Sequence, residues 1–194
     1  GLNDFVLALA SHDEGSGPAL YAAGQFALAG GVAANHVARW DGASWSPLGS
    51  GPGGVVHALV VHDDGSGPCL FAGGEFSSRI ARWDGTSWSA LGGVAPNSIV
   101  VALAADDAAP ALYAGGYFTT AGGVSANRIA KWDGSSWSAL GQGMSGPFNS
   151  PGVPALAVHA DGSGPALYAG GLFTTAGGGP ANFIARWDGS SWSP

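Results

Sequence analysis

Cysteine is all but missing. Cys69 is the single one in 194 residues, so no disulfide can form within the chain, and a lone thiol does not decide the redox compartment. Basic residues are scarce as well. Six Lys and Arg stand against thirteen Asp and Glu, for a net charge of −7, and only 10% of residues are charged. Nucleic-acid binding needs clustered cations to neutralise phosphates, so this balance argues against it and against anionic membranes. No apolar run reaches the length that crosses a bilayer. No signal peptide stands in the sequence, which cleavage or trimming would each explain. Helical periodicity is absent throughout, as are a G-x-S-x-G elbow, a P-loop and EF-hand or nonapeptide calcium spacing. The expected cofactor is therefore none, with Ca²⁺ or a transition metal kept open by the candidate clusters below.

Glycine and tryptophan are abundant, at 35 and eight residues, and hydrophobic residues make up 46%. High Gly content accompanies disorder in polar chains, but this apolar content supports a packed core. All eight tryptophans fall in four copies of W-D-G-x-S-W: Trp40 and Trp45, Trp83 and Trp88, Trp132 and Trp137, Trp187 and Trp192. Gly at the first of two corner positions suits a type II′ hairpin turn, because Gly takes a positive φ without steric cost. Gly42-Ala43 at the corner makes Asp41 face Ser44 and Trp40 face Trp45. Each facing indole pair is worth roughly 0.5–1 kcal/mol beyond its burial. The eight tryptophans are thus read as structural.

The motif closes a longer repeat, its leading Trp recurring at 40, 83, 132 and 187. Each unit holds four strand-like segments. In unit 1 they are Phe5–Ala10, Ala19–Ala23, His36–Trp40 and Ser44–Leu48. The units run approximately 1–51, 52–94, 95–143 and 144–194, within one domain spanning 1–194. The first segment of each is the most apolar, as in Ala102-Leu103-Ala104, and is expected to be buried on both faces. The second ends on Gly and then Phe, at Gly24 to Phe26, Gly74 to Phe76, Gly116 to Phe118 and Gly171 to Phe173. Phe and the leading Trp are 14 residues apart in three units but 7 in unit 2, where Ser77-Ser78 replaces a loop. Four antiparallel strands in a period of this length predict an all-β fold, a β-propeller of four-stranded blades, four per chain. The four blades either close as a ring, or form half of a larger ring completed by a second chain, or belong to a longer array.

The run from Gly115-Gly116 to Trp132 and Trp137 resembles kelch-type propeller repeats. The near-consensus N-R-I-A-K/R-W-D-G-S-S-W-S-A-L-G resembles tandem repeats of large secreted bacterial proteins. The hairpin is similar to the Asp-box of sialidase-like propellers, one residue tighter. The resemblance implies a kelch-like fold and an extracellular or cell-surface setting. It implies no activity, because propellers host many functions.

Several residues are candidates for function. His12, His62 and His159 occupy equivalent positions, with Asp106 in the remaining unit, and would make a His₃Asp metal set if they converged. The competing reading is repeated turn residues. Acidic turns at Asp13-Glu14, Asp63-Asp64 and Asp106-Asp107 offer oxygens to Ca²⁺, against the general preference of Asp for turns. Arg39, Arg82, Lys131 and Arg186 precede each leading Trp and invite either a carboxylate-binding cluster or blade packing. Asn35, Asn127 and Asn182, with Phe148, Asn149 and Met144 in the irregular 141–151 segment, are candidates for shallow sugar pockets. Glu75 is the acid outside a turn that breaks the repeat, and the one candidate for glycosidase chemistry. The reading favoured by the residues is a non-catalytic module for structure or interaction with a protein or glycan partner, self-association into a homodimeric or larger ring included. A lectin-like propeller is the alternative, and a glycosidase-like enzyme comes last.

Overall fold

The computed structural model describes residues 1–106, 108–146, 152–160, 162 and 164–194. The described chain is all-β, with four four-stranded antiparallel sheets, one per repeat. In unit 1 the strands are Val6–Asp13, Pro18–Gly24, Val37–Trp40 and Trp45–Pro47, paired in chain order. Unit 2 uses Val55–Asp63, Pro68–Glu75, Ile80–Trp83 and Trp88–Ala90. Unit 3 uses Val100–Asp106, Ala111–Gly116, Ile129–Trp132 and Trp137–Ala139. Unit 4 uses Ala155–Ala160, Pro165–Gly170, Ile184–Trp187 and Trp192–Ser193.

The hairpin register is the one that the turn chemistry demands. Trp40 pairs with Trp45, Trp83 with Trp88, Trp132 with Trp137 and Trp187 with Trp192. Their ring centroids lie 5.3–5.4 Å apart. Gly42, Gly85, Gly134 and Gly189 take φ of 94–100°, while the residues after them do not have positive φ. That is the pattern of a turn needing glycine at its first corner only. Asp41 closes the corner, accepting hydrogen bonds from the amides of Ala43 and Ser44 at 2.8 Å, and Asp84, Asp133 and Asp188 do the same.

The Gly pair ending the second strand has a division of labour. A Cβ on Gly24, Gly74, Gly116 or Gly171 would stand 2.0–2.2 Å from a carbonyl oxygen at or just before the first strand, of Phe5, Val55, Ile99 or Gly152. No side chain fits there, which is why the second Gly is present in every unit. The first Gly faces the next sheet instead. A Cβ on Gly73 would meet Val100 at 2.8 Å, and one on Gly115 would meet the Val153 carbonyl at 2.6 Å. On Gly170 the nearest atom would be 3.5 Å away, and unit 1 carries Ala23 at this place.

The sheets stack face to face in chain order. Tyr21, Ala23 and Val37 of unit 1 cluster with Leu70, Ala72, Phe76 and Trp83 of unit 2. The other face of unit 2, with Phe71 and Ile80, packs on Leu112, Phe118 and Trp132 of unit 3. Tyr113 and Ile129 of unit 3 pack in turn on Leu167, Phe173 and Ala185 of unit 4. Each strand alternates sides, so one side chain set faces the preceding sheet and the other the following one.

The second strand, not the first, is the most buried element. All of Ala111–Gly116 is buried, whereas Val100–Asp106 alternates buried and half-buried and Val6–Asp13 is largely exposed. The expectation of a doubly buried first strand holds in part: in units 2 and 3 it is buried or half-buried at all positions but Asp63, whereas in units 1 and 4, the outermost sheets, it is largely exposed. The second strand has a hydrogen-bonded strand on either side as well as packed faces. The loop before the third strand also carries structure that the repeat pattern did not reveal. Leu28–Ala29 pairs with Val32–Ala33, and Thr120–Ala121 with Val124–Ser125. Thr175–Ala176 pairs with both Gly179–Pro180 and Met144–Ser145.

Candidate functional site: the two ends of the sheets

Antiparallel pairing gives each sheet two unlike ends. At one end the loop between first and second strands lies beside the W-D-G-x-S-W hairpin, because Leu20 pairs with both Ser11 and Trp40. At the other lie the Gly-x-Phe turn, the loop into the third strand and the link to the next unit.

The hairpin end spends its polar groups on itself. Asp13 accepts from the Gly15 and Gly17 amides at 2.8 and 2.9 Å, and Asp63 from Gly65 and Gly67 at 2.8 and 3.0 Å. Asp106 accepts from Ala108 and Ala109. Asp107 lies outside the described residues. Arg39 donates to Ser16 at 3.0 Å. Arg82 forms an ion pair with Asp64 at 2.9 Å and also donates to Ser66 and to the Cys69 sulfur. These two arginines therefore serve the loop of their own unit. Burial pushes the half-buried Cys69 thiol up from its ordinary pKa. Glu14 reaches into the next unit, accepting from Trp83 Nε1 at 2.9 Å.

Turn hydrogen bonds also set the local electrostatics. Backbone amides of Ser44 and Ala43 hold Asp41 below the ordinary carboxylate value. Asp84, Asp133 and Asp188 are held lower still, led in each case by the amide of Ser87, Ser136 or Ser191. Amides directed at a carboxylate favour its ionised form. Tyr21 is fully buried, and its phenol is pushed up to about 12, first by burial and then by the nearby Glu14 carboxylate.

His12, His62 and His159 each sit against the second-strand aromatic ring of their own unit. The partners are Tyr21, Phe71 and Tyr168, with centroids 6.1, 5.6 and 6.2 Å away. Among the described residues, no three His, Cys, Asp or Glu gather into a group that could hold a metal ion. His12, His62, Asp106 and His159 thus share an end of their sheets without being brought together as ligands.

The opposite end is different in kind. The residue between Gly and Phe is Gln25, Glu75, Tyr117 or Leu172 in the four units, and all four are exposed. In a chain that otherwise repeats its residues closely, this place carries an amide, an acid, a phenol and an aliphatic group. Beside it lies a second varied position. His36, Arg79, Arg128 and Phe183 each adopt positive φ, of 75, 59, 67 and 68°. Their carbonyls accept from Gly24, Gly74, Gly116 and Gly171 at 2.9–3.0 Å, and their amides donate to Phe26, Phe76, Phe118 and Phe173. A left-handed non-glycine residue costs about 1 kcal/mol or more. Unit 2 keeps this geometry although its loop is seven residues shorter, so the kink is how every third strand begins. The same site presents an imidazole, two guanidinium groups and a phenyl ring at one rim, and the repeat pattern does not single it out.

The asparagine candidates lie at this rim too. Asn35 donates from its side chain to the Ser50 carbonyl at 3.1 Å and Asn127 to the Gln142 carbonyl at 2.9 Å, so each braces the link to the next unit. Asn182 is exposed. Phe148 and Asn149 lie outside the described residues. Met144 is fully buried against unit 4. Glu75 stands exposed at the varied position. A cavity of about 370 Å³ opens between units 3 and 4, lined by Ser125, Asn127, Gln142, Ser145 and three glycines.

Comparison with protein-family models and with curated proteins finds no match for this chain.

Proposed function

We propose that the chain is a non-catalytic, kelch-like β-propeller module of the extracellular space or cell surface, secreted and bacterial in origin. Each four-stranded sheet is a blade, and the rim at Gln25, Glu75, Tyr117 and Leu172 faces a protein partner. One observation carries this reading. Polar residues that recur at the hairpin end are engaged in turn hydrogen bonds, whereas exposed residues at the rim differ from unit to unit on a shared backbone geometry. Repeat proteins separate a fixed scaffold from varied contact positions in this way, and loops held by a rigid scaffold tend to carry binding. The resemblance of the repeats supports the extracellular setting.

Panning a phage-displayed random peptide library on the chain tests this. Enriched peptides should lose binding to a Glu75→Ala, Tyr117→Ser, Leu172→Ser variant that keeps the wild-type Tm. Failure to enrich peptides, or binding indifferent to that variant, would overturn the reading.

The polar cavity between units 3 and 4 supports a second reading, a lectin-like propeller. Its volume accommodates a monosaccharide, and Gln142, Ser125 and Ser145 supply hydrogen-bonding groups. Saturable glycan-array binding lost in Gln142→Ala would favour it. Hydrolysis of a chromogenic glycoside, abolished by Glu75→Gln, would instead favour the glycosidase-like enzyme.

A further inference from the structure

The three junctions between sheets are built alike. In each, the side of one unit that carries its second-strand aromatic and the first residue of its third strand packs on the leucine side of the next unit. Leu70, Leu112 and Leu167 are the receiving leucines and are 0, 0 and 2% exposed. Val37, Ile80 and Ile129 are the delivering residues, at 0, 1 and 0%. The two outermost faces break this rule. Leu20, the receiving leucine of unit 1, is 37% exposed, with Leu9 beside it at 59%. Ile184, the delivering residue of unit 4, is 57% exposed. Around it Ala155, Ala157, Tyr168 and Gly170 form a shallow apolar hollow of about 200 Å³.

These faces are complementary, not merely apolar. Unit 4 presents the side that units 1 to 3 bury, and unit 1 presents the side that units 2 to 4 use to receive it. The polar staples of the junctions follow the same direction. Trp88 and Trp192 donate their indole N–H to the Leu48 and Leu140 carbonyls of the preceding unit. Trp45, their counterpart in unit 1, lies on the open receiving face. Exposed apolar faces of this kind mark interaction sites, and here three internal junctions define what fits.

We infer that a second copy of the chain covers these faces head to tail, the unit 4 face of one copy seated on the unit 1 face of the other. Such a contact is heterologous: two different patches meet, and it closes when the rotation allows.

Light scattering on the purified 194-residue chain, across a dilution series, tests this. The expected mass is a multiple of the 19.1 kDa chain. Leu20→Lys and Ile184→Asp should each weaken self-association at least ~30-fold, as loss of a central interface contact does. Both residues are surface-exposed in the single chain, and an unchanged far-ultraviolet circular dichroism spectrum verifies folding. Leu9→Lys serves as a second receiving-face variant. An equimolar mixture of the Leu20→Lys and Ile184→Asp chains should re-form a complex, because each supplies the intact face that the other lacks. A single-chain mass at every concentration would overturn the inference. So would association that survives both substitutions, or one that mixing fails to restore, since a like-to-like contact behaves that way.

Discussion

Trp192 donates its indole N–H to the carbonyl of Leu140 at 2.8 Å, joining units 3 and 4 across 52 positions of sequence. Trp88 does the same to Leu48 at 3.0 Å, joining units 1 and 2. In units 2 and 4 the second Trp of the hairpin therefore acts twice, as a partner in the indole pair and as a staple to the preceding sheet.

Replacing the staple with phenylalanine keeps most of the ring and removes the donor. Trp88→Phe should cost about 1 kcal/mol, because the Leu48 carbonyl loses one of its two donors and keeps only the Gly51 amide. For a domain of this size that lowers Tm by roughly 2–4 °C. Trp45→Phe should cost less, since among the described residues the Trp45 indole N–H makes no such bond to a neighbouring sheet. Thermal melts of the two variants side by side check the difference.

Gly116 and Gly170 should respond differently to an added methyl group. Gly116→Ala would drive a Cβ to 2.2 Å from the Ile99 carbonyl oxygen, and crowding of this kind typically costs about 1–3 kcal/mol or more. Gly170→Ala meets nothing nearer than 3.5 Å and should change stability by less than about 0.5 kcal/mol. Urea unfolding of both variants measures this.

Acid should destabilise the hairpins together. Asp41, Asp84, Asp133 and Asp188 all have folded-state pKa values held down by turn amides. A depressed folded pKa gives stability that is present above the unfolded value, about 4, and is lost as pH falls below it. Tm should be flat near neutrality and drop on acidification below about pH 4. Changing all four to Asn should lower Tm at neutral pH and flatten the acid slope.

Tyr21 sets a limit at the other end of the scale. Its phenol is pushed up to about 12 by burial and then by Glu14, so the folded state holds the proton where an unfolded chain releases it, near pH 10. That contribution is complete below about pH 10 and is lost as pH rises toward 12. Ultraviolet difference titration should show a phenol ionising near pH 12, and Glu14→Gln should move it down.

Much of this was legible from local chemistry. Two-residue turns need Gly first, which places Trp opposite Trp, and every unit has that register. Strand positions followed from the same alternation. An apolar first strand is buried at Ala102 and Ala104 but exposed at Leu9, because the run does not reveal which sheet has a neighbour on each face. No glycine marks the left-handed residues at His36, Arg79, Arg128 and Phe183, so the repeat pattern does not reveal them. Their backbone is held by hydrogen bonds to the Gly and Phe at the turn that ends the second strand. The four His and Asp candidates share a position by repetition, but convergence requires distances that spacing does not encode.

By itself, the sequence determined the four-stranded unit, its hairpin corner and its fourfold repetition, since those depend on contacts between near neighbours. Tertiary structure decided which side of each sheet meets the next, why the second Gly admits no side chain, and that Leu20 and Ile184 remain uncovered. Those outcomes arise from stacking between residues far apart in the chain, where burial depends on what stands opposite rather than on the residue's own character.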